Sequence, residues 1–463
     1  MTAPRQTVNI RQWTQEARVE PTVRVGIVLD HDAFGAVSLR IPDHAYQLIG
    51  SGDEKTDLPP QTTLEIRHTG RGLDVEVEDR PPHAAGRVRL AAAKDVPLAA
   101  DAGVLTRDIV AGRGFHWQKH IDQRLTGALE LVPGEQGLVL INELPLEEYL
   151  AGVITAEMSG ACPLDLLKAQ CIVARSWLLA MTEPKHDRDP FDRCNDDCCQ
   201  RYQGTGDLSA TALAAVAQTR GQALRGPAGE VLDANYAKSC GGVSECPRVV
   251  WGVDKPGVSP VVDAAPDAPE HRFFPITEEN LDEYLDGPWL KTTGVYCSPN
   301  VVTPESIGQY LGRVDETGDY FRWTVHYSRT ELEELMREKV PQAGNLAMLQ
   351  DLRVVSRGVS GRAGAVDLEW KDSAGQGQTT RLESEYRIRE VLHRKFLYSS
   401  AFAVRPTRGS DGLLDTITLR GAGWGHGAGL CQIGALGMAL NGIDGETICR
   451  HYYPDARLTS LYT

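Results

Sequence analysis

No stretch of about 18 consecutive apolar residues occurs in this chain, so no membrane-spanning helix is expected. An excess of basic residues is also missing: 63 Asp and Glu outnumber 48 Lys and Arg, for a net charge of -15. Repulsion from phosphates then disfavours nonspecific nucleic-acid binding, and no nucleic-acid partner is expected. The N-terminus, MTAPRQTVNIRQWTQEARVEP, lacks the apolar core of a secretory signal, which leaves a start further upstream or a protein that stays inside. The glycine-rich stretch near residue 425 is not followed by the Lys-Ser or Lys-Thr of a phosphate-binding loop, and it matches a dinucleotide fingerprint poorly. The 10 cysteines are a moderate number for 463 residues, and their placement says more than their count.

What is present is ordinary globular material, 41% hydrophobic and 24% charged, with 46 Gly and 26 Pro that imply many turns. At roughly 100 to 200 residues per domain, the length implies two or three domains. Residues 1–22 read as a polar lead-in. Residues 23–140 read as a β-rich region, because VRVGIVLD, VSLRI, TTLEIRH, LDVEVED and RVRLAA are short strand patterns cut by Gly, Asp and Pro. A mixed core follows over 141–252, then an inserted or accessory region over 253–400, Pro- and Asp-rich at first. The core resumes over 401–463. The fold class expected is therefore α+β and multidomain. His83, His116 and His120 have no chemical partner nearby in sequence and read as surface or packing residues.

The chemistry begins in LPLEEYLAGVITAEMSGACPLDLLKAQCIVARSWLL, two amphipathic helices joined by a turn. Leu146, Tyr149, Leu150, Val153 and Ile154 form one stripe, and Glu157 returns to nearly the angular position of Leu146. Glu148 points to the opposite side and Glu147 lies well off the stripe. In the second helix, starting near Pro163, the stripe runs through Leu164, Leu167, Cys171, Arg175 and Leu178. An inward Glu157 beside an inward Arg175 reads either as a structural ion pair or as an acid tuned for proton transfer, because burial favours the protonated carboxyl and a guanidinium opposes it.

Downstream, KHDRDPFDRCNDDCCQRYQG offers His186, Cys194, Cys198 and Cys199 on one loop. Three thiolates and an imidazole satisfy tetrahedral zinc and close all four positions, which fits one structural zinc better than a metal-activated water. Asp192, Asp196 or Asp197 is an alternative for one ligand; free thiols or a vicinal disulfide are the alternatives to metal. In VLDANYAKSCGGVSECPRVVWG a strand carries Tyr236 and Lys238 on one face, and Ser239 opens a turn in which Gly241 and Gly242 would let a ligand approach the backbone. An ordinary hairpin turn accounts for the same residues. Cys240 and Cys246 are near enough in sequence to pair. In RGAGWGHGAGLCQIGALGMALNG the alternating glycines predict an extended segment with one bare face and one presenting Trp424 and His426, followed by a helix from Gln432 to Leu440. Arg387, Arg389, His393, Arg394 and Lys395 read as a solvated face before a groove for an anionic polymer.

Taken in order, the LPLEEYLAGVITAEM…LLKAQCIVARSW, NYAKSCGG…VVWG and GWGHGAGLCQIGALGMA…HYYP segments resemble the SpoIID/LytB family. The resemblance implies peptidoglycan glycan strands as substrate and lytic transglycosylation as the reaction, with a 1,6-anhydro product. It implies Glu157 as the catalytic acid/base and matches Arg175, Tyr236, Lys238, His426 and Gln432 to family positions; these, with Ser239, Gly241 and Gly242 of the turn, are the expected substrate contacts. It also implies a zinc site of Cys and His ligands, where Cys198 stands at a position commonly His in the sporulation branch. A location in the cell envelope is implied too, although no signal is visible. Glycosidases that hydrolyse normally need two carboxylates, whereas the implied reaction runs on one. A noncatalytic glycan-binding modifier of a cell-wall amidase is the alternative, and a zinc hydrolase a third reading.

Overall fold

The computed structural model describes residues 8–463 apart from 79, 81, 95, 116–117, 181, 183–184 and 313–317. The chain divides into two compact units: Met1–Ala223 with Gln309–Asp315 and Leu458–Thr463, and Leu224–Gly308 with Glu316–Arg457. The break thus falls at 223/224 rather than at 140/141 or 252/253. No described helix is long and apolar enough to cross a membrane.

The first unit is built on two sheets. One runs in the order Val8–Asn9, Pro21–Val28, Leu138–Pro145, Ala128–Pro133, Val88–Ala92, Tyr46–Ile49, Lys55–Leu58, and Arg193–Cys194 adds to the Pro21–Val28 strand. The other runs Lys119–Leu125, Val104–Ala111, Ala36–Arg40, Thr63–His68, Leu73–Val77, His83–Ala85. Alternation explains the choice of face: Val23, Val25 and Ile27 are all buried on one side of their strand. The lead-in is more structured than its polarity implied. Val8–Asn9 pairs parallel with Pro21–Val28, Ile10 is buried, and Arg11 pairs with Asp192 at 2.7 Å. His120 pairs with the exposed Asp108 and His83 is exposed, as surface residues; His116 lies outside the described residues.

The Leu138–Pro145 strand runs directly into helix α1 (Leu146–Glu157), and α2 (Leu164–Ala180) follows after a short turn, close to the bounds read from the apolar stripes. Helix α3 (Ala210–Gln218) begins where Ser209 caps it by accepting from the Ala212 N–H.

In the second unit, Arg322–Ser328, Leu414–Ala422 and Phe402–Arg408 form one antiparallel sheet, and a hairpin, Leu346–Arg357 with Ala363–Asp372, gains a third strand in Gly377–Glu383. The helices Arg329–Lys339 and Glu385–Val391 pack on a core that includes Trp323, Leu335, Leu368, Trp370, Ile388 and Phe402. Arg389 departs from the solvated face expected of it: it pairs with the buried Glu385 at 3.0 Å and donates to the Leu397 carbonyl. A short parallel pair, Tyr236–Ala237 with Leu430–Cys431, leads into the expected helix Gln432–Leu440. The Pro- and Asp-rich start of the 253–400 region, a composition typical of surface loops, nonetheless buries Asp263 and Cys297. Helices alternate irregularly with strands that pair mostly antiparallel in several separate sheets, so the α+β expectation holds.

Candidate functional site

In the first unit Glu157 ends α1 and is 8% exposed. Its Oε1 accepts the Arg201 backbone N–H at 3.1 Å. The Arg201 guanidinium turns back to Asp197, Nε to Oδ1 at 2.5 Å. Burial pushes the Asp197 carboxyl up to about 6 against the pull of Arg201, and the negative charge of Glu157 adds to the rise. Neither Arg201 nor Asp197 was visible as a neighbour of Glu157 in the sequence.

The inward pair expected of Glu157 and Arg175 is made by Glu147 instead. Arg175 is fully buried, with Nε and Nη2 on the two Glu147 oxygens at 3.0 and 2.6 Å and Nη1 on the Gln222 carbonyl at 2.8 Å. Glu147 also accepts from the Gly221 N–H at 3.2 Å and the Tyr462 hydroxyl at 2.6 Å. Burial opposes the Arg175 charge, yet Cys171, Glu147 and Tyr462 hold its pKa above the ordinary value. The single-stripe argument failed because every residue of α1 except Glu148 is buried. Arg175 is therefore an interior anchor and not a substrate contact.

The loop after α2 brings His186, Cys194, Cys198 and Cys199 together, with one donor atom of each within 4.8 Å of the others. Cys194 is fixed by the Arg193–Cys194 strand, in register with Val25 and Gly26. The His186 Nε2 faces the Cys198 sulfur at 3.9 Å while Nδ1 meets Asp189 at 2.8 Å, the arrangement that orients a ligand imidazole. Hydrogen bonding between the two sulfurs holds the Cys194 thiol well above and the Cys198 thiol well below the usual range. One nitrogen and three sulfurs suit a thiophilic tetrahedral cation. The aspartates expected as alternative ligands are used elsewhere. Asp192 accepts from Asn9 and from the Arg24 N–H, Asp196 from the Gly112 and Arg113 N–H groups, and Asp197 from Arg201. The loop that carries these donors continues directly to Arg201, whose N–H holds Glu157.

In the second unit Tyr236 is half-buried and Lys238 is 8% exposed. Ser239 is fully buried and Gln432 is 1% exposed, so neither presents its side chain to a glycan. The Gly241 turn admits the protein's own backbone rather than a ligand: at φ +79°, a Cβ there would lie 2.6 Å from the Gly423 nitrogen. Cys240 meets Cys297, Sγ to Sγ 3.8 Å, rather than Cys246. The glycine-rich block is not extended, because Gly423, Gly425, Gly427 and Gly429 have φ of +76, +91, +73 and +73°. These left-handed residues wind the block against 235–245, through the Ser239–Trp424 and Glu245–Ala428 bridges. Buried Arg362, which the sequence reading missed, donates to the Cys240 and Gly425 carbonyls and stitches the two segments. His426 Nδ1 accepts from the Ala428 N–H at 3.1 Å, and its ring also bonds the Tyr236 backbone. Trp251, 36% exposed, sets its ring 4.9 Å from that of His426 and 4.3 Å under the Lys255 ammonium.

A nearly buried carboxylate on a helix end, beside a thiol-rich loop, falls within residues 134–225, which match the family described as Stage II sporulation protein. Residues 134–225 are thus a SpoIID domain. Residues 275–429 match a family described only as a domain of unknown function. Among similar proteins, an uncharacterized protein of Brachyspira hyodysenteriae is 24% identical over 327 residues, 71% of this chain and 70% of that one. The amidase enhancer of Bacillus subtilis is 23% identical over 321 residues, 67% of this chain but 40% of its own length. Stage II sporulation protein D of Bacillus subtilis is 21% identical over 336 residues, 69% of this chain and 76% of its own.

Proposed function

We propose that this protein is a peptidoglycan lytic transglycosylase of the cell envelope, with Glu157 as its acid/base. The observation that carries this reading is the position of Glu157: an almost buried carboxylate, held by the Arg201 N–H, within the residues that match the family. Protonated, it donates to the glycosidic oxygen as the bond from C1 breaks. As a carboxylate, it then takes the proton of the same sugar's 6-hydroxyl, whose oxygen closes on C1. The proton returns to Glu157 and no water is consumed, so one carboxylate suffices. Hydrolysis would normally need a second carboxylate facing the bond, whereas the neighbouring Asp197 is turned to the Arg201 guanidinium.

His186, Cys194, Cys198 and Cys199 would hold one zinc ion, whose role is to fix the loop. With all four positions filled by the protein, the ion has none left for water, and the zinc hydrolase reading loses its basis. Holding the loop holds Arg201 and hence the orientation of Glu157. In the second unit, Tyr236 and Lys238 remain the proposed glycan contacts. The exposed Trp251 ring beside His426 adds an apolar face of the kind sugars stack on.

The similarity to an amidase enhancer supports a second reading, in which the protein binds glycan and stimulates a cell-wall amidase without cleaving. Purified protein and Glu157→Gln, each incubated with peptide-free glycan strands and with intact peptidoglycan plus an amidase, separate the two. Cleavage of strands by the protein alone, lost in Glu157→Gln, is expected. Stimulation of the amidase undiminished in Glu157→Gln, with no cleavage of strands by either, would establish the second reading.

A further inference from the structure

We infer that Cys240, Asp263, Cys297 and Cys431 form a second metal site, closed and structural, for a thiophilic tetrahedral cation of the zinc class. One donor atom of each lies within 4.8 Å of the others, and their exposures are 2, 0, 3 and 1%. Two sulfurs bound to one tetrahedral ion at 2.3 Å stand about 3.8 Å apart, and the Cys240 and Cys297 sulfurs are 3.8 Å apart.

The strongest indication is Asp263. Its carboxylate is fully buried and accepts from the Cys297 N–H at 3.1 Å and the Tyr452 hydroxyl at 2.6 Å, with the Cys240 and Cys297 thiols also bonded to it. Among the described residues, no Lys, Arg or His forms an ion pair with it. A buried carboxylate in this setting is costly unless a cation compensates it. The surroundings are shaped for the carboxylate, because a Cβ on Gly434 would fall 2.4 and 2.5 Å from its two oxygens. Tyr452 then plays the part of an outer partner that orients a ligand.

The sulfurs have the donors that thiolate ligands take. Cys431 Sγ accepts from the Cys240 N–H at 3.2 Å and the Gly434 N–H at 3.3 Å, in the first turn of the Gln432–Leu440 helix. Cys240 Sγ accepts from the Gly242 N–H at 3.3 Å. The four ligands come from four separated segments, so a bound ion would tie the turn after Tyr236 and Lys238 to the start of the helix that follows the glycine-rich block.

The test is metal analysis of the full chain, produced with zinc in the medium and freed of loose metal by gel filtration. A variant with Cys194, Cys198 and Cys199 all changed to Ser removes the loop donors and leaves the second group intact. It is expected to retain one tightly held zinc per chain, with X-ray absorption showing about three sulfurs and one lighter atom at bonding distance. Adding Asp263→Asn to that variant should weaken retention at least tenfold in a chelator competition. If that double-site variant fails to fold, the absorption spectrum of the loop variant alone decides. A folded loop variant without zinc, or peptide mapping that finds a Cys240–Cys297 disulfide, would overturn the proposal.

Discussion

In the first unit, His186, Cys194, Cys198 and Cys199 come from one loop, and Cys198 stands exposed. In the second, Cys240, Asp263, Cys297 and Cys431 come from four separate segments and are all buried. The contrast teaches what each group can do for its unit. A loop cluster closes a short piece of chain, so a metal held there would act locally, on the path to Arg201 and Glu157. A dispersed cluster forms only when distant segments have already converged. Metal bound there contributes directly to the folding free energy of its unit.

Three experiments would break or sharpen this contrast, the largest effect first. The first unit also has an interior anchor that is independent of either cluster. Glu147→Gln leaves the Arg175 guanidinium buried without a counter-charge, with an expected loss of about 3–5 kcal/mol in urea unfolding of that unit. Metal retained by the second group should be untouched. If Glu147→Gln instead releases metal from both groups, the units are not separately held. Asp189→Ala is the next test, because Asp189 orients His186 at the loop. An outer partner of this kind is worth about 10- to 100-fold in metal affinity. Competition with a zinc chelator should show that loss at the loop and none at the second group, and equal losses would erase the distinction.

Over a single pH unit the smallest effect is the pH dependence that His426 gives the second unit. Burial, with Arg362, Arg389 and Lys255 nearby, holds the His426 pKa down at about 3 against an ordinary value of 6.5. Below 6.5 the unfolded chain takes up a proton that the folded one refuses, so stability falls as pH falls through that window. The limiting slope is about 1.4 kcal/mol per pH unit. Urea midpoints at two pH values inside the window should show less slope for His426→Gln than for the wild type. An unchanged slope would mean that His426 is not the group responsible.

Much of this was legible in the sequence where the signal is local. The stripes of α1 and α2 and the His186–Cys199 loop are short-range patterns, and the structure places them close to where spacing put them. Glu147 was missed because α1 is buried on nearly all sides, and a single apolar stripe cannot rank positions on such a helix. The glycine-rich block was misread because alternation has two causes. A bare strand face gives a period of two, and so does a glycine at every second residue with positive φ. Asp263 and Cys297 sat in a stretch whose Pro and Asp content signalled surface, and nothing short of the fold brings them to Cys240 and Cys431. Three ordered motifs carry the family resemblance, whereas the Glu147–Arg175 anchor and the second donor group exist only through packing.

The reaction itself is tested most directly by mass spectrometry of the products released from peptide-free glycan strands in water enriched in oxygen-18. Glu157-driven transglycosylation predicts fragments one water lighter than the hydrolytic products, with no oxygen-18 at the new end, and their disappearance in Glu157→Gln. Fragments of full hydrolytic mass carrying oxygen-18, or 1,6-anhydro products that persist in Glu157→Gln, would contradict it.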